Sequence, residues 1–160
     1  MKTFFTALAI ALTITGCTTP TLLAYSSGFS FANYDYIVVG KPDGRDTNTS
    51  LYGMDIEFAN LMSRYNMKVI GNKEYDKLSS DVQKRTLNAR MSVEASNKRI
   101  LLSVSFDDAV TGRTGASITT NTKGNIFNAD ARSKAFESAS KTIIKALQRD
   151  KDLQITEDHK

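Results

Sequence analysis

The sequence has few of the residues that catalytic and metal sites most often use. Its 160 residues include one cysteine, one histidine and no tryptophan. Because there is neither a histidine pair nor a cysteine pair, only oxygen ligands remain for a metal ion, and Asp107-Asp108 is too small a cluster to specify calcium. The single histidine, His159, lies next to the carboxyl terminus. We therefore predict no metal, no cofactor and no catalytic residue.

The sequence also lacks a strong excess of charge and a long hydrophobic run. It contains 21 Lys and Arg against 17 Asp and Glu, and the two signs are interleaved, as in Asp81–Arg85 and Arg149–Asp152. Nucleic-acid binding requires clustered basic residues, so we expect no nucleic-acid partner. The apolar run Phe4–Ile14 is too short to cross a bilayer, which takes about 20 apolar residues.

Residues 1–17 have the layout of a secretory signal. A positive charge at Lys2 precedes the apolar run, which ends abruptly at Cys17. The residues Ile14-Thr15-Gly16-Cys17 resemble the bacterial lipobox, which implies that Cys17 becomes the first residue of the mature chain and carries a diacylglyceryl thioether and an amino-terminal acyl group. An ordinary signal peptide with a chance cysteine, or a plain apolar start to a soluble domain, is the alternative.

The resemblance to bacterial lipoproteins also implies a location in the cell envelope. Several acyl chains together hold a protein on a membrane permanently, whereas one chain binds only marginally. The residue after the cysteine is Thr18 rather than the aspartate that retains lipoproteins in the inner membrane. We therefore expect an outer-membrane lipoprotein whose domain faces the periplasm, without a disulfide, because no second cysteine exists.

Composition divides the mature chain into three parts. Residues 18–33 are small and polar with scattered apolar residues, so we predict a tether, either loose or ending in an edge strand. Residues 34–149 carry the regular apolar patterns and are predicted to form one domain. Residues 150–160 are predicted to be a charged tail.

The first half of the domain predicts a strand, a helix and a second strand. Tyr34–Val39 is rich in aromatic and β-branched residues, which favours a strand. A helix follows, with Thr49 or Ser50 as its cap and Asn66 as its end. Met67–Ile70 is predicted to be the second strand. The helix has one apolar stripe, made of Leu51, Met54, Phe58, Leu61, Met62 and Tyr65.

The second half predicts a short helix from Ser79 or Ser80, three antiparallel strands and a final helix. Apolar and polar residues alternate over residues 87–95, and further strands are predicted over 100–106 and within 113–122. Asn128 or Asp130 caps the final helix, whose stripe contains Ala135, Phe136, Ala139, Ile143, Ala146 and Leu147. The fold class is thus α/β (α+β): a single domain with a mixed sheet of about five strands and two long amphipathic helices on one face, in the order β-α-β-(α)-β-β-β-α.

The third strand of this series carries the candidate binding residues. Ser117, Thr119 and Asn121 fall on one of its faces, and we predict a binding edge there for a glycan or an added β-strand. The alternative is an exposed strand that is polar only to remain soluble. Asp107 and Asp108 precede Gly112 in a predicted turn, where aspartate side chains bind nearby backbone amides.

The domain resembles a group of α/β domains from the bacterial envelope. The residues that carry the resemblance are Leu101–Phe106, Asp107-Asp108, Thr111-Gly112 and Ala116–Thr119. The group includes the amino-terminal domain of the Tol translocation protein, the activators of penicillin-binding proteins and the curli-secretion lipoprotein. The resemblance implies binding and assembly rather than catalysis. The present chain is shorter and has no room for a pore-forming insertion or a second binding domain.

These patterns lead to one main hypothesis and two alternatives. The main hypothesis is a non-enzymatic outer-membrane lipoprotein, held by Cys17, that binds another envelope protein for assembly, stabilisation or regulation of a membrane complex, and a homo-oligomer is compatible with it. The first alternative is an enzyme that acts on the cell wall with acids drawn from Asp35, Asp55, Glu57 and Asp108. The second is a surface-exposed lipoprotein at the host or phage interface.

Overall fold

The computed structural model of the chain describes residues 21–40 and 53–157, with side chains described up to residue 152. These residues form a single α/β domain around a six-stranded mixed sheet with the strand order β1-β6-β5-β4-β2-β3. The elements are β1 (Thr21–Tyr25), a 3₁₀ helix (Phe31–Asn33), β2 (Tyr36–Val39), α1 (Met54–Arg64), β3 (Lys68–Ile70), α2 (Asn72–Tyr75), α3 (Ser80–Lys84), β4 (Thr86–Ala95), β5 (Arg99–Asp108), β6 (Thr114–Lys123) and α4 (Ala129–Glu157). The predicted fold class is confirmed, with one strand more than expected.

The additional strand, β1, comes from the segment that we predicted to be a tether. β1 pairs antiparallel with β6, with Thr21 opposite Thr120 and Tyr25 opposite Ala116. Phe31, in the 3₁₀ helix, is buried in the core. The loose tether is therefore wrong from Thr21 onward. The alternative, an edge strand, exists, but at Thr21–Tyr25 rather than at the end of the segment, and residues 18–20 lie outside the described residues. The physical reason is that β1 satisfies the backbone groups along the outer edge of β6.

The strand-helix-strand unit is confirmed. β2 lies parallel to β3 on one side and to β4 on the other. α1 buries Met54, Phe58 and Met62, which repeat at four-residue steps on one face of the helix. Asn66 follows the helix with a φ of 62°, a left-handed conformation that asparagine adopts readily at a helix end. The predicted cap and Leu51 lie outside the described residues.

The three long strands form the predicted antiparallel meander. Met91 of β4 lies opposite Val104 of β5, which lies opposite Ile118 of β6. Side chains on this face are buried, and their neighbours along each strand point to the other face. α1 and α4 cover the buried face, where the rings of Phe58 and Phe106 meet at 6.0 Å between centroids.

The second face of the sheet is covered only in part. The chain crosses from β2 to β3 through α1, and then from β3 past β2 to β4 through α2 and α3. These two parallel crossovers run in opposite directions across the sheet and each is right-handed, so their helices lie on opposite faces. α2 and α3 therefore lie opposite α1, and Val38 and Ile70 are buried on their side. The remaining part of this face belongs to β4, β5, β6 and β1. We call it the open face; its half-exposed residues include Asn88, Ser92, Ser103, Ser105, Ser117, Thr119 and Asn121.

Helix α4 begins where the sequence predicts and ends later. The side-chain oxygen of Asn128 accepts hydrogen bonds from the backbone N–H groups of Asp130 (2.8 Å) and Ala131 (3.2 Å), so Asn128 caps the helix. The helix continues to Glu157. The charged tail predicted from residue 150 is therefore wrong as far as residue 157, and the next residues lie outside the described part. Asp150, the first residue of the predicted tail, is only 3% exposed.

An aromatic cluster joins the amino-terminal segment to the core. The ring of Phe31 packs edge-on against Phe29 (5.0 Å between centroids) and Phe106 (4.9 Å). Phe29 also stacks on Tyr34 at 5.6 Å. Such aromatic pairs contribute about 0.5–1.5 kcal/mol each beyond the area that they bury. They hold residues 25–34 in place although most of this segment has no sheet partner.

Replacing Gly115 with alanine should disrupt this cluster. A Cβ atom at Gly115 would lie 1.9 Å from Cδ2 of Phe29, so the ring would have to leave its position. We expect the free energy of unfolding to fall by about 1–3 kcal/mol, the usual effect of overpacking, as measured by urea denaturation. In the Phe29→Ala background the same substitution should have a much smaller effect, because the ring is gone. Additive losses would contradict this explanation.

Candidate functional site

The three predicted binding residues lie together on the open face. Ser117, Thr119 and Asn121 alternate along β6 with buried residues that face the helices. All three are half-buried. The hydroxyl groups of Thr119 and Ser103, on neighbouring strands, lie 3.2 Å apart and share a hydrogen bond. The predicted row of polar groups therefore exists, and its role in binding stays a prediction.

The predicted binding edge is not an edge. β6 lies between β5 and β1, and all five residues of β1 pair with it. A strand from another protein cannot be added at β6, because the chain itself already occupies that position. The correction follows from the pairing of distant segments, which local alternation does not reveal. Among the described strands, β1 and β3 form the two edges of the sheet.

The edge strand β1 exposes apolar side chains. Leu22 is 73% exposed and Leu23 is 37% exposed. Within the described part of the chain, the outer edge of β1 pairs with no other strand. An exposed apolar edge strand is a template for pairing with another chain, and proteins usually protect such edges with charge or proline. We did not predict this exposed surface because we interpreted residues 18–33 as a tether, although both leucines are visible in the sequence.

Arg90 and Asp107 form an ion pair at one end of the open face. Asp107 is 4% exposed and receives hydrogen bonds from Nε of Arg90 at 2.7 Å and from the hydroxyl of Thr114 at 2.6 Å. Both of its carboxylate oxygens therefore have partners. Asp107 was predicted to serve the turn with Asp108; it instead links three strands, because an irregularity in the pairing of β5 and β6 occurs between Phe106 and Asp107.

Asp108 serves the turn as predicted. One of its oxygens accepts hydrogen bonds from the backbone N–H groups of Val110 (3.1 Å) and Thr111 (2.7 Å) and from the Thr111 hydroxyl (2.9 Å). The other accepts the hydroxyl of Tyr34 at 3.0 Å. Gly112, with a φ of 67°, completes the turn in a conformation that favours glycine.

The contacts of Asp108 and Tyr34 shift the pKa values of both side chains. Burial alone would raise the pKa of Asp108, but the hydrogen bonds from Thr111, Tyr34 and Val110 together lower it below 3.8. Burial, and then the hydrogen bond to Asp108 and its charge, raise the pKa of Tyr34 to about 12. The ionised carboxylate and the neutral phenol are therefore the forms that the fold stabilises.

The stability of the domain should therefore depend on Asp108 at low pH. Since the folded pKa lies below the unfolded one, the contribution is complete above about pH 5 and disappears as the pH falls through the unfolded and then the folded pKa. We expect the free energy of unfolding to decrease on acidification from about pH 5 to pH 2, and to decrease less in Asp108→Asn. Urea denaturation at several pH values measures this, and equal slopes for the two proteins would contradict it.

The acids considered for catalysis do not form one cleft. Asp55 and Glu57 lie in the first turn of α1. Asp35 precedes β2 and forms an ion pair with Arg85, and Asp108 is committed to its turn. The amino end of α1 and the start of β2 lie at opposite ends of the strand-helix-strand unit. The acids therefore separate into two pairs, and Asp108 already uses both oxygens.

A shallow groove of about 180 Å³ lies between the amino-terminal ends of α1 and α4. It is lined by Met54, Glu57, Ala129, Arg132, Ser133 and Phe136. A guanidinium nitrogen of Arg132 donates to the carbonyl of Ile126 at 2.7 Å. Arg113 lies at the turn before β6 and does not line this groove.

Within residues 21–40 and 53–157, no three His, Cys, Asp or Glu side chains come together as metal ligands would. None of the helices described there combines the length and apolar character needed to cross a membrane. Cys17 and the other residues of the predicted lipobox lie outside the described part, so the lipidation site stays a prediction from sequence.

The chain matches no protein-family model and no curated protein. Its fold resembles that of solved PelC structures. Two of these are PelC dodecamers from Paraburkholderia phytofirmans, one of which carries a single leucine-to-methionine substitution. They superimpose with TM-scores of 0.56 for that variant and 0.55 for the other, at 16% sequence identity, over 81% of this chain and 98% of PelC. At this identity the likeness shows the shared fold alone.

A more distant likeness joins the chain to the lipoprotein GNA1162 from Neisseria meningitidis. The TM-score is 0.43 at 14% identity, over 59% of this chain and 84% of GNA1162. A putative neuraminyllactose-binding hemagglutinin homolog from Helicobacter pylori has a TM-score of 0.40 at 13% identity, over 75% of this chain and 84% of its own. Neither likeness is close enough to carry an argument about function.

Proposed function

We propose that the protein is a lipid-anchored outer-membrane lipoprotein without enzymatic activity, whose domain binds another envelope component in the assembly, stabilisation or regulation of a membrane complex. The observation that carries the proposal is the fold shared with PelC over nearly all of the PelC chain, since the PelC structures are dodecamers. The resemblance of Ile14-Thr15-Gly16-Cys17 to a lipobox and the exposed apolar edge of β1 support it. The separation of the candidate acids supports the proposal that the domain does not catalyse a reaction.

The first partner that we propose is a second copy of the chain, bound at the edge of β1. Leu22 and Leu23 would be covered there, and the backbone of β1 would pair with a strand of the neighbour. We expect chemical crosslinking of intact cells to yield multimers of the wild-type chain, and Leu22→Lys to reduce them by adding a charge at the edge. A Leu22→Lys protein that crosslinks as the wild type does would exclude this surface.

The wider proposal is tested by identifying what the crosslinked protein carries. Mass spectrometry of material purified with the wild type should find a defined envelope protein, or further copies of this chain, that is absent with Cys17→Ala. This difference is expected because anchoring holds the domain beside its partner and raises the effective concentration of each for the other. Recovery of nothing above background with either protein would count against binding of a protein partner and favour glycan binding or the enzymatic alternative.

A further inference from the structure

Three cations meet at the end of the sheet where β1 begins. Arg99, the first residue of β5, lies directly opposite Lys123, the last residue of β6. The N–H of Gly124 donates to the carbonyl of Lys98 at 2.9 Å, which brings Lys98 beside them. All three side chains are exposed. We call Lys98, Arg99 and Lys123 the cationic tip.

Like charges directly opposite each other on antiparallel strands repel, because their Cβ atoms are only about 4.5–5.5 Å apart. None of the ion pairs found among the described residues involves the cationic tip. The acid nearest in register is Glu94, which lies opposite Leu101, two residues along β5 from Arg99. Asp130, at the start of α4, is also close, because its neighbour Ala131 lies beside Gly124. Three positive charges against these two negative charges leave a local excess that an anionic surface would neutralise.

The course of the chain indicates which surface lies there. β1 begins opposite Thr120, three residues before Lys123, a separation of about 10 Å along a strand. Cys17 precedes Thr21 by four residues, which span at most about 14 Å when fully extended. A lipid on Cys17 therefore holds this end of the sheet, rather than the opposite end with the Asp108 turn, next to the bilayer.

We infer that the cationic tip binds the phosphate groups of anionic phospholipids in the membrane that holds Cys17, and so fixes the orientation of the domain on that membrane. The inference deepens the proposed function and rests on it for the orientation. Each Lys or Arg close to an anionic membrane increases binding about fivefold, and the effect extends only about one Debye length. The anchor provides retention and the tip provides orientation.

The test uses the mature chain without lipid, so that the tip is measured apart from the anchor. Residues 18–160 contain every described helix and strand together with the buried core. We expect this chain to sediment with phosphatidylglycerol vesicles in about 10 mM salt, where the Debye length is about 30 Å, and to be released in about 1 M salt, where it is about 3 Å. Vesicles of phosphatidylcholine should not bind it.

Neutralising the tip in a variant with Lys98→Gln, Arg99→Gln and Lys123→Gln should reduce binding to the level of phosphatidylcholine vesicles. The matched control replaces Arg64, Lys77 and Lys84, which are exposed and lie outside the tip, with glutamine. It makes the same change in net charge and should keep most of the binding. Circular dichroism and thermal unfolding of each variant check that the domain is folded.

A single substitution gives a second and independent readout. Lys123→Glu should weaken vesicle binding about 20-fold, because it removes one charge and reverses it. It should also raise the midpoint of thermal unfolding, since an opposite-charge pair replaces the repulsion between Arg99 and residue 123. A loss of binding together with a lower midpoint would indicate damage to the fold and contradict the inference.

Failure of the inference differs from failure of the proposed function. If phosphatidylcholine vesicles bind equally well, or if the control variant loses as much binding as the tip variant, the tip does not recognise anionic lipid. Labelling of the wild-type chain with a radioactive fatty acid tests lipidation at Cys17 separately. Labelled protein without vesicle binding would overturn only the tip. Vesicle binding without label would overturn the lipoprotein and the orientation that rests on it, but not the recognition of anionic lipid.

Discussion

Replacing Asp150 with alanine should lower the free energy of unfolding by about 2–4 kcal/mol. Asp150 is 3% exposed and accepts the backbone N–H of Phe31 at 2.7 Å. Its other oxygen accepts two hydrogen bonds from the guanidinium of Arg149, at 2.9 Å and 2.7 Å. Alanine would leave the buried N–H of Phe31 without an acceptor, which is the largest part of the expected loss. The Arg149 side chain is half exposed and can turn to water.

The loss should extend beyond the site of the substitution. Asp150 is the polar contact that joins α4 to the 3₁₀ helix, and Phe31 leads through the aromatic cluster to β1. Without this contact, the segment from Thr21 to Tyr34 should open more often than the rest of the sheet. Hydrogen exchange should therefore show faster exchange of the β1 amides in the variant, while those of β5 change only with global stability.

Two further substitutions separate the contribution of the hydrogen bonds from that of charge. Asp150→Asn retains an oxygen that can accept the Phe31 N–H, so we expect about half of the loss seen with alanine. Asp81→Ala removes a carboxylate that is 93% exposed and pairs only with Lys84, so its effect should lie within about 0.5 kcal/mol. Urea denaturation gives all three values. An alanine variant at position 150 that resembles the one at position 81 would contradict the assigned role.

Asp150 also shows what local patterns can and cannot predict. It lies in the run Arg149-Asp150-Lys151-Asp152, whose charges indicate a solvent-exposed segment. Its spacing from Ala146 and Leu147, four and three residues earlier, places it on the apolar stripe of α4. That helical spacing was the available signal. The acceptor role was not predictable, because its donor, Phe31, is 119 residues away along the chain.

Local sequence patterns also predict some of the strands and not others. β4 and β5 were predictable because buried residues recur at two-residue steps, over Leu87–Met91 in β4 and over Ile100–Phe106 in β5, with half-buried or exposed residues between them. β1 was not, since its three central residues are all exposed and only its ends are half-buried. Its position depends on pairing with β6, about 100 residues later, and on the aromatic contacts of Tyr25. For the same reason Ser117, Thr119 and Asn121 were placed on the correct face but at a false edge.

Replacing Cys17 with alanine should have the largest effect on the location of the protein. If the resemblance to the lipobox holds, the variant should incorporate no labelled fatty acid, and its signal segment should stay uncleaved, which mass spectrometry of the purified chain would detect. The wild type should be recovered with outer-membrane markers after fractionation, and Cys17→Ala should not. If residues 1–17 are instead an ordinary signal peptide, both chains would be cleaved and unlabelled.

The Thr18→Asp substitution is the matched control. By resemblance to lipoprotein sorting, an aspartate after the cysteine should keep the acylated chain in the inner membrane, with full labelling. If both variants lost the label, the substitutions would have impaired processing of the precursor rather than changed the membrane to which the protein is sorted. Acylation is expected to dominate retention because each buried methylene contributes about 0.8 kcal/mol and several acyl chains act together. The cationic tip adds only about fivefold per cation and is weakened by salt, so it can orient an anchored domain but cannot replace the anchor.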